Sequence, residues 1–216
     1  MNIRHIGPPG FAQPRKSQRR NELRRAARVA RKFEELCCPF GLDDYDGART
    51  WYETARADIR KTYGKDWRIA AALIAATSPQ TDVRQNGKLA RDAYNHWRAG
   101  TMEDWKPWLK AHENNVHRAL AGAPLSGQKV ENFRQALIGD RDAIVVDTWM
   151  LRAAGADVKA VKNGSPKWIR ITYEAIRLAA EATGLRGCEA QAVIWTTYRA
   201  NNWEAKRGAG TGALEV

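Results

Sequence analysis

Cysteine is scarce: the chain has three among 216 residues, Cys37, Cys38 and Cys188, and they form no C-x-x-C pair. That argues against a disulfide framework and against a cysteine-bound zinc or iron–sulfur site. Histidine is nearly as rare, and His96, His112 and His117 show no ligand spacing with carboxylates or cysteines, so a metal-centred hydrolase is not expected. No apolar run approaches the roughly 18 residues of a membrane span, and the N-terminus has no apolar signal region. A soluble, cytoplasmic protein without membrane contact is the expectation. Strand-like alternation is missing outside the short run Ala143 to Val146. Internal repeats and long linkers are missing too.

What the chain does have is positive charge. Lys and Arg number 36 against 24 Asp and Glu, a formal charge of +12, and the pI is about 9.9. An anionic partner follows, and nucleic acid leads, because neutralising phosphates releases counterions and gives basic proteins a strong, sequence-blind affinity. Hydrophobic content of 44% is enough for a core in one or two compact domains.

The charge is densest near the start. A Gly/Pro-containing leader, residues 1–14, precedes the block Arg15 to Lys32, which carries Arg19, Arg20, Arg24, Arg25, Arg28 and Arg31. A helix from Ser17 or Asn21 would show Leu23, Ala26, Ala27 and Ala30 as a thin apolar stripe. Two readings stay open: a solvated arm, or an extra clamp on DNA.

Helical periodicity then takes over. Trp51, Ala55, Ile59 and Tyr63 share a face, with Gly64 as the stop. Asp66 caps the apolar helix Trp67 to Thr77, which Pro79 ends. Further helices are expected over Asp82 to Arg98, over Thr101 to Lys110 behind a Thr101-x-x-Asp104 capping pattern, and over His112 to Ala121. Trp97, Trp105 and Trp108 are expected to pack this bundle. Ser165-Pro166 opens a helix that stops at Gly184, and a last one runs near Gly187 to Asn202. The fold class is all-α. Four segments are expected: a basic extension over 1–45, one helical subdomain from 46–64 plus 141–203, a central subdomain over 65–140, and a flexible tail over 204–216.

Two stretches carry candidate chemistry. Leu125-Ser126-Gly127-Gln128 is a turn after which Lys129 opens a helix with Val130, Phe133, Ala136 and Leu137 on its apolar side. Val146-Asp147-Thr148 follows the buried run, with Asp147 as N-cap of a short helix closed by Gly155. The second stretch, Ser78-Pro79-Gln80-Thr81-Asp82-Val83-Arg84-Gln85-Asn86, reads locally as a polar loop capped by Asp82.

Together these resemble the helix-hairpin-helix superfamily of DNA glycosylases, endonuclease III-like. Its hairpin usually reads L-P-G-x-G-x-K, its aspartate usually opens V-D-T-H, and the separation here, 147 − 129 = 18, is the family's. The second hairpin glycine is missing and Trp149 replaces the usual histidine. K-V-E-N-F also resembles an earlier lysine-bearing helix of those enzymes, but only the hairpin alignment gives the distance to Asp147. The polar loop resembles the family's S-A-Q-x-T-D-x-x-x-N segment, one residue shorter, and the QAVIWTTYR segment resembles a late core helix. The family's C-terminal iron–sulfur cluster has no cysteines to hold it here.

The resemblance implies two helical subdomains with a DNA-binding cleft between them, acting as a monomer on double-stranded DNA without a cofactor. It implies that Gln80 fills the gap left by an extruded nucleotide, since an amide offers donors and an acceptor. Thr81, Arg84, Asn86, Ser126, Gly127 and Gln128 are then DNA contacts, with a cation optional at the hairpin. Lys129 is the nucleophile at the sugar C1′, Asp147 accepts a proton and stabilises the cationic sugar, and Trp149, Asp44 and Tyr45 are candidates for the base pocket. Two alternatives share the scaffold: a bacteriophage-type transferase that hypermodifies DNA bases, and a DNA-binding protein without catalysis.

Overall fold

The computed structural model describes residues 5–37 and 44–203. The expected tail and Cys38 lie outside them. The described residues are helical and irregular, with no strand. They fall into two compact units, one within residues 5–51 and 141–203 and one within 52–140. The first helix therefore belongs to a folded unit, and the segment after Trp51 belongs with the central residues.

In the first unit, α1 (Lys16–Leu36) packs along α10 (Pro166–Thr183). Their shared core sets Ala26, Val29, Ala30 and Phe33 with Ile171, Ala175, Ile176 and Ala179. Alanines let the backbones approach, and Phe33, wholly buried, contributes on the order of 1.5–3 kcal/mol by leaving water. The expected thin stripe is thus deeper than Leu23 and the alanines suggest. Inside the contact Arg170 donates to both carboxylate oxygens of Glu22 at 2.8 Å and to the Ala12 carbonyl at 3.2 Å.

The leader folds back onto this pair. Ile6 is wholly buried, and the Gln13 amide accepts from its N–H at 2.9 Å and donates to its carbonyl at 3.1 Å. Gly7 has φ 91°, and a Cβ there would lie 2.6 Å from Arg170 Cγ. Only glycine fits that approach.

The unit is completed by α2 (Tyr45–Arg49), α8 (Thr148–Ala153), α9 (Val158–Lys162) and α11 (Gly187–Trp203). Ala143 to Val146 are buried but form no strand. The run is an extended connector inside the core, which explains its apolar character without a sheet.

In the second unit, α4 (Trp67–Ala76) is the hub, against which α5 (Val83–Ala99), α6 (Lys110–Leu120) and α7 (Gln128–Ile138) pack. Its Ala70, Ala71, Ala72, Leu73, Ala75 and Ala76 are buried, so small side chains surround the one large Leu. Before it come α3 (Trp51–Tyr63) and a 3-10 turn, Gly64–Asp66.

One expected helix is absent. Thr101 to Leu109 forms turns, with the Asp104 N–H bonded to the Thr101 carbonyl. Thr101 instead serves the end of α5, its hydroxyl 3.0 Å from His96 Nδ1, and Pro107 removes a donor that a helix would need. The tryptophans separate accordingly. Trp105 is buried, Trp97 half-buried, and Trp108 is 53% exposed rather than a packing residue.

Candidate nucleic-acid site

The second unit holds the hairpin and the polar loop together. α6 and α7 are joined by residues 121–127, closed by Gly127 at φ 99°. A Cβ at Gly127 would meet only Val130 Cγ2, at 3.7 Å, so the requirement for glycine is the positive φ rather than crowding within the chain. Asn115, buried on α6, grips the turn from behind. Its amide donates to the Ser126 carbonyl at 3.0 Å and accepts from the Ser126 N–H at 2.6 Å. Glu131 adds a bond from the Leu125 N–H at 2.7 Å. Burial alone would raise the Glu131 carboxyl, but hydrogen bonds from Arg134, the Leu125 N–H and Gln135 together hold it below the usual range.

Lys129, in the first turn of α7, reaches the loop. Its Nζ donates to Ser78 Oγ at 2.7 Å and to the Ser78 carbonyl at 3.2 Å, and lies 6.0 Å from the Phe133 ring centroid. Ser78 Oγ in turn donates to the Ala75 carbonyl at 2.9 Å. The lysine is thus tethered at the C-terminal end of α4, where the carbonyl dipoles favour a cation.

Beyond Ser78 the loop is internally braced. Thr77 Oγ1 lies 2.6 Å from Asn86 Oδ1 and 2.9 Å from the Leu73 carbonyl, and Thr81 donates to the Thr77 carbonyl at 3.1 Å. His112 is fully buried and its Nε2 lies 3.0 Å from the Pro79 carbonyl. A carbonyl only accepts, so Nε2 carries the hydrogen. Between these braces Gln80 is exposed with φ 59°, alone among the described non-glycine residues in having positive φ. Asp82 caps α5 by accepting from the Gln85 N–H at 2.8 Å.

Several expected contacts therefore play different parts. Gln80 and Arg84 are exposed, as are Ser126 and Gly127. Asn86 is buried and braces the loop rather than facing outward. Thr81 is spent partly on the same task. The Gln128 amide nitrogen is buried and has no partner among the described residues.

The first unit places Asp147 at the start of α8. One oxygen accepts from the Met150 N–H at 2.8 Å, the other from Trp195 Nε1 at 3.1 Å. Around it Arg199 lies over both Trp195, at 4.3 Å, and Trp149, at 5.5 Å, while Arg152 lies 4.9 Å from the Trp149 ring. At the other end of α8, Lys32 donates to the Ala153 carbonyl at 3.1 Å. Asp44 is occupied in capping α2 through the Gly47 N–H at 2.9 Å. Tyr45 packs against the core, and burial pushes its phenol up, with Cys37 adding to the effect.

Sequence reasoning did not select Ser78, His112, Asn115, Trp195 or Arg199. Ser78 lies two residues before Gln80, but its partner is 51 residues away. Among the described residues no group of three or more His, Cys, Asp or Glu side chains could hold a metal ion, and no helix is long and apolar enough to cross a membrane.

These features define an all-helical, strongly basic protein of two compact units, each carrying a polar cluster at a helix start. Compared with known proteins, residues 13–202 match the family of unknown function DUF7178, and the chain belongs to that family. No curated protein and no solved structure gave a match.

Proposed function

We propose that the protein acts on double-stranded DNA as a glycosylase with lyase activity, within the helix-hairpin-helix scheme that its sequence resembles. The observation that carries the reading is in the second unit. An amine borne by the helix after a glycine-closed turn is hydrogen-bonded to the root of a braced loop whose tip offers an exposed amide at φ 59°. A backbone held in a costly conformation at an exposed polar residue is the kind of feature that function, rather than packing, retains.

In this reaction Gln80 takes the place of the extruded nucleotide. Lys129 leaves the Ser78 oxygens and gives up a proton to solvent, and its neutral amine then attacks the sugar C1′ as the glycosidic bond breaks, while the base departs with the bonding electrons and takes up a proton. Loss of a proton from nitrogen and opening of the sugar leave a Schiff base. Removal of a C2′ proton then expels the 3′ phosphate. The resemblance gives the carboxylate role, accepting a proton and offsetting the charge on the sugar, to Asp147.

Borohydride trapping on duplex DNA containing an abasic site tests this directly. A covalent adduct lost in Lys129→Gln is expected. The bonds from Lys129 to Ser78 favour a second reading, in which the lysine is a structural cation and the protein binds DNA without cleaving it. Salt-sensitive binding with no adduct would establish that reading over the first. An activity needing an activated base and an amine donor would point to a base-modifying transferase instead.

A further inference from the structure

Two rows of side chains run along opposite sides of α1. Glu22, Ala26, Val29, Ala30 and Phe33 are buried, and at about 100° per residue they occupy an arc of roughly 100° facing α10. Arg20, Arg24, Arg28 and Arg31 are exposed, and by the same geometry they occupy an arc of about 80° on the far side. None of these four forms an ion pair among the described residues. The other α1 charges nearby are engaged, Glu22 with Arg170 at 2.8 Å and Arg25 over the Trp168 ring at 4.1 Å.

This arrangement opposes the helix's own electrostatics twice. Arg20, Arg24 and Arg28 are like charges at i, i+4 spacing, which repel. The first turn holds no acid and the last no base, with Lys16 and Arg19 near the positive end of the dipole and Glu34 and Glu35 near its negative end, the reverse of the stabilising order. A helix kept only for packing gains nothing from either. Negative charge supplied from outside removes the first penalty and offsets the cations at the positive end in the second.

We propose that the exposed face of α1 is a docking face for the phosphate backbone of duplex DNA, with Arg20, Arg24, Arg28 and Arg31 as the contacts. The inference rests on the DNA partner named above and not on chemistry at Lys129. From Arg20 to Arg31 the helix rises about 16 Å, and a duplex presents one charge per roughly 1.7 Å of its axis. All four guanidinium groups therefore find phosphates at once, each able to bond two oxygens. Phe33 and the Glu22–Arg170 pair hold the row in place before binding, so little ordering is needed. Contacts of this kind read charge and not sequence.

The test is the salt dependence of binding to random-sequence duplex DNA by the full chain. Replacing the four arginines together by glutamine should lower the slope of log K against log salt by about 0.9 per lost contact, roughly three to four in all. The melting temperature should hold or rise, since repulsion is relieved. A charge-matched variant altering Lys61, Lys65, Lys88 and Arg91, exposed on the second unit, should change the slope far less. Equal slopes in the α1 variant and the parent overturn the proposal, as does an equal loss in the charge-matched variant. So does a loss confined to mixed phosphatidylserine and phosphatidylcholine vesicles, which would make the face a lipid contact. An absent borohydride adduct with the slope difference intact removes the lyase reading and leaves this face standing.

Discussion

Replacing Gln80 by glycine should separate stability from function. At φ 59° a residue with a Cβ pays on the order of 1–2 kcal/mol for the left-handed region. Glycine escapes that strain but loses about 0.5–1 kcal/mol through its freer unfolded chain. The braces on Thr77, Thr81 and the Pro79 carbonyl involve no atom of the Gln80 side chain, so the loop keeps its shape in the variant. The balance is a gain of roughly 0.5 kcal/mol, or about 1–2 °C in melting temperature for a chain of this size. Gln80→Ala keeps the strain and should be neutral, while Gln80→Val adds branching at Cβ and should be the least stable of the three. Urea and thermal unfolding measure this order, and adduct yield on abasic duplex measures the other half. All three variants should lose adduct, because each removes the amide. A glycine variant less stable than the parent would refute the strain argument. One with full adduct yield would refute the role of the amide.

Further outcomes are expected elsewhere. Arg170→Met strands the buried Glu22 carboxylate and should cost about 3–5 kcal/mol. Pairing it with Glu22→Leu should restore most of that in denaturant titrations, and a loss below about 1 kcal/mol in the single variant would contradict the account. Asn115→Ala removes both bonds that hold Ser126, so hydrogen exchange at the Ser126 amide should quicken. Unchanged protection would show the turn holds itself. Because the folded state keeps Glu131 below its ordinary value of 4.5, its stabilising contribution is complete above that pH and is lost as pH falls through the lower folded value. Glu131→Gln should therefore flatten the acid limb of the stability profile, and an identical limb would count against it. Burial, with Glu34 adding to it, pushes the Cys37 thiol up to about 12, so native protein at pH 8 should leave Cys37 unlabelled by a thiol reagent until it unfolds, as peptide mapping would show.

Local signals in the sequence read well and distant ones did not. Asp147 and Asp82 were legible as caps because an N-cap needs only the next three residues, and both accept the expected bond. The same logic misled at Thr101, where the capping pattern is present but no apolar run follows to justify a helix. Trp108 could not be separated from Trp105 by residue type, since only the fold decides which of the two the core covers. The clasp of Lys129 on Ser78 and that of Trp195 on Asp147 join residues 51 and 48 positions apart. No spacing rule announces such pairs. The buried half of α1 was underestimated for a related reason: Phe33 and Val29 lie at the end of a stretch whose arginines dominate its appearance, and Glu22 is hidden by a partner far along the chain.

Helix α8 spans six residues, Thr148–Ala153, too few to persist alone in water. It is pinned by a carboxylate at one end and by the Lys32 amine at the other. The far pin belongs to α1. A chain trimmed of its arginine-rich beginning would lose that second anchor, and the aspartate's presentation would loosen with it. The basic helix and the carboxylate are in this sense inherited as one piece, and a change at residue 32 should be felt at residue 147.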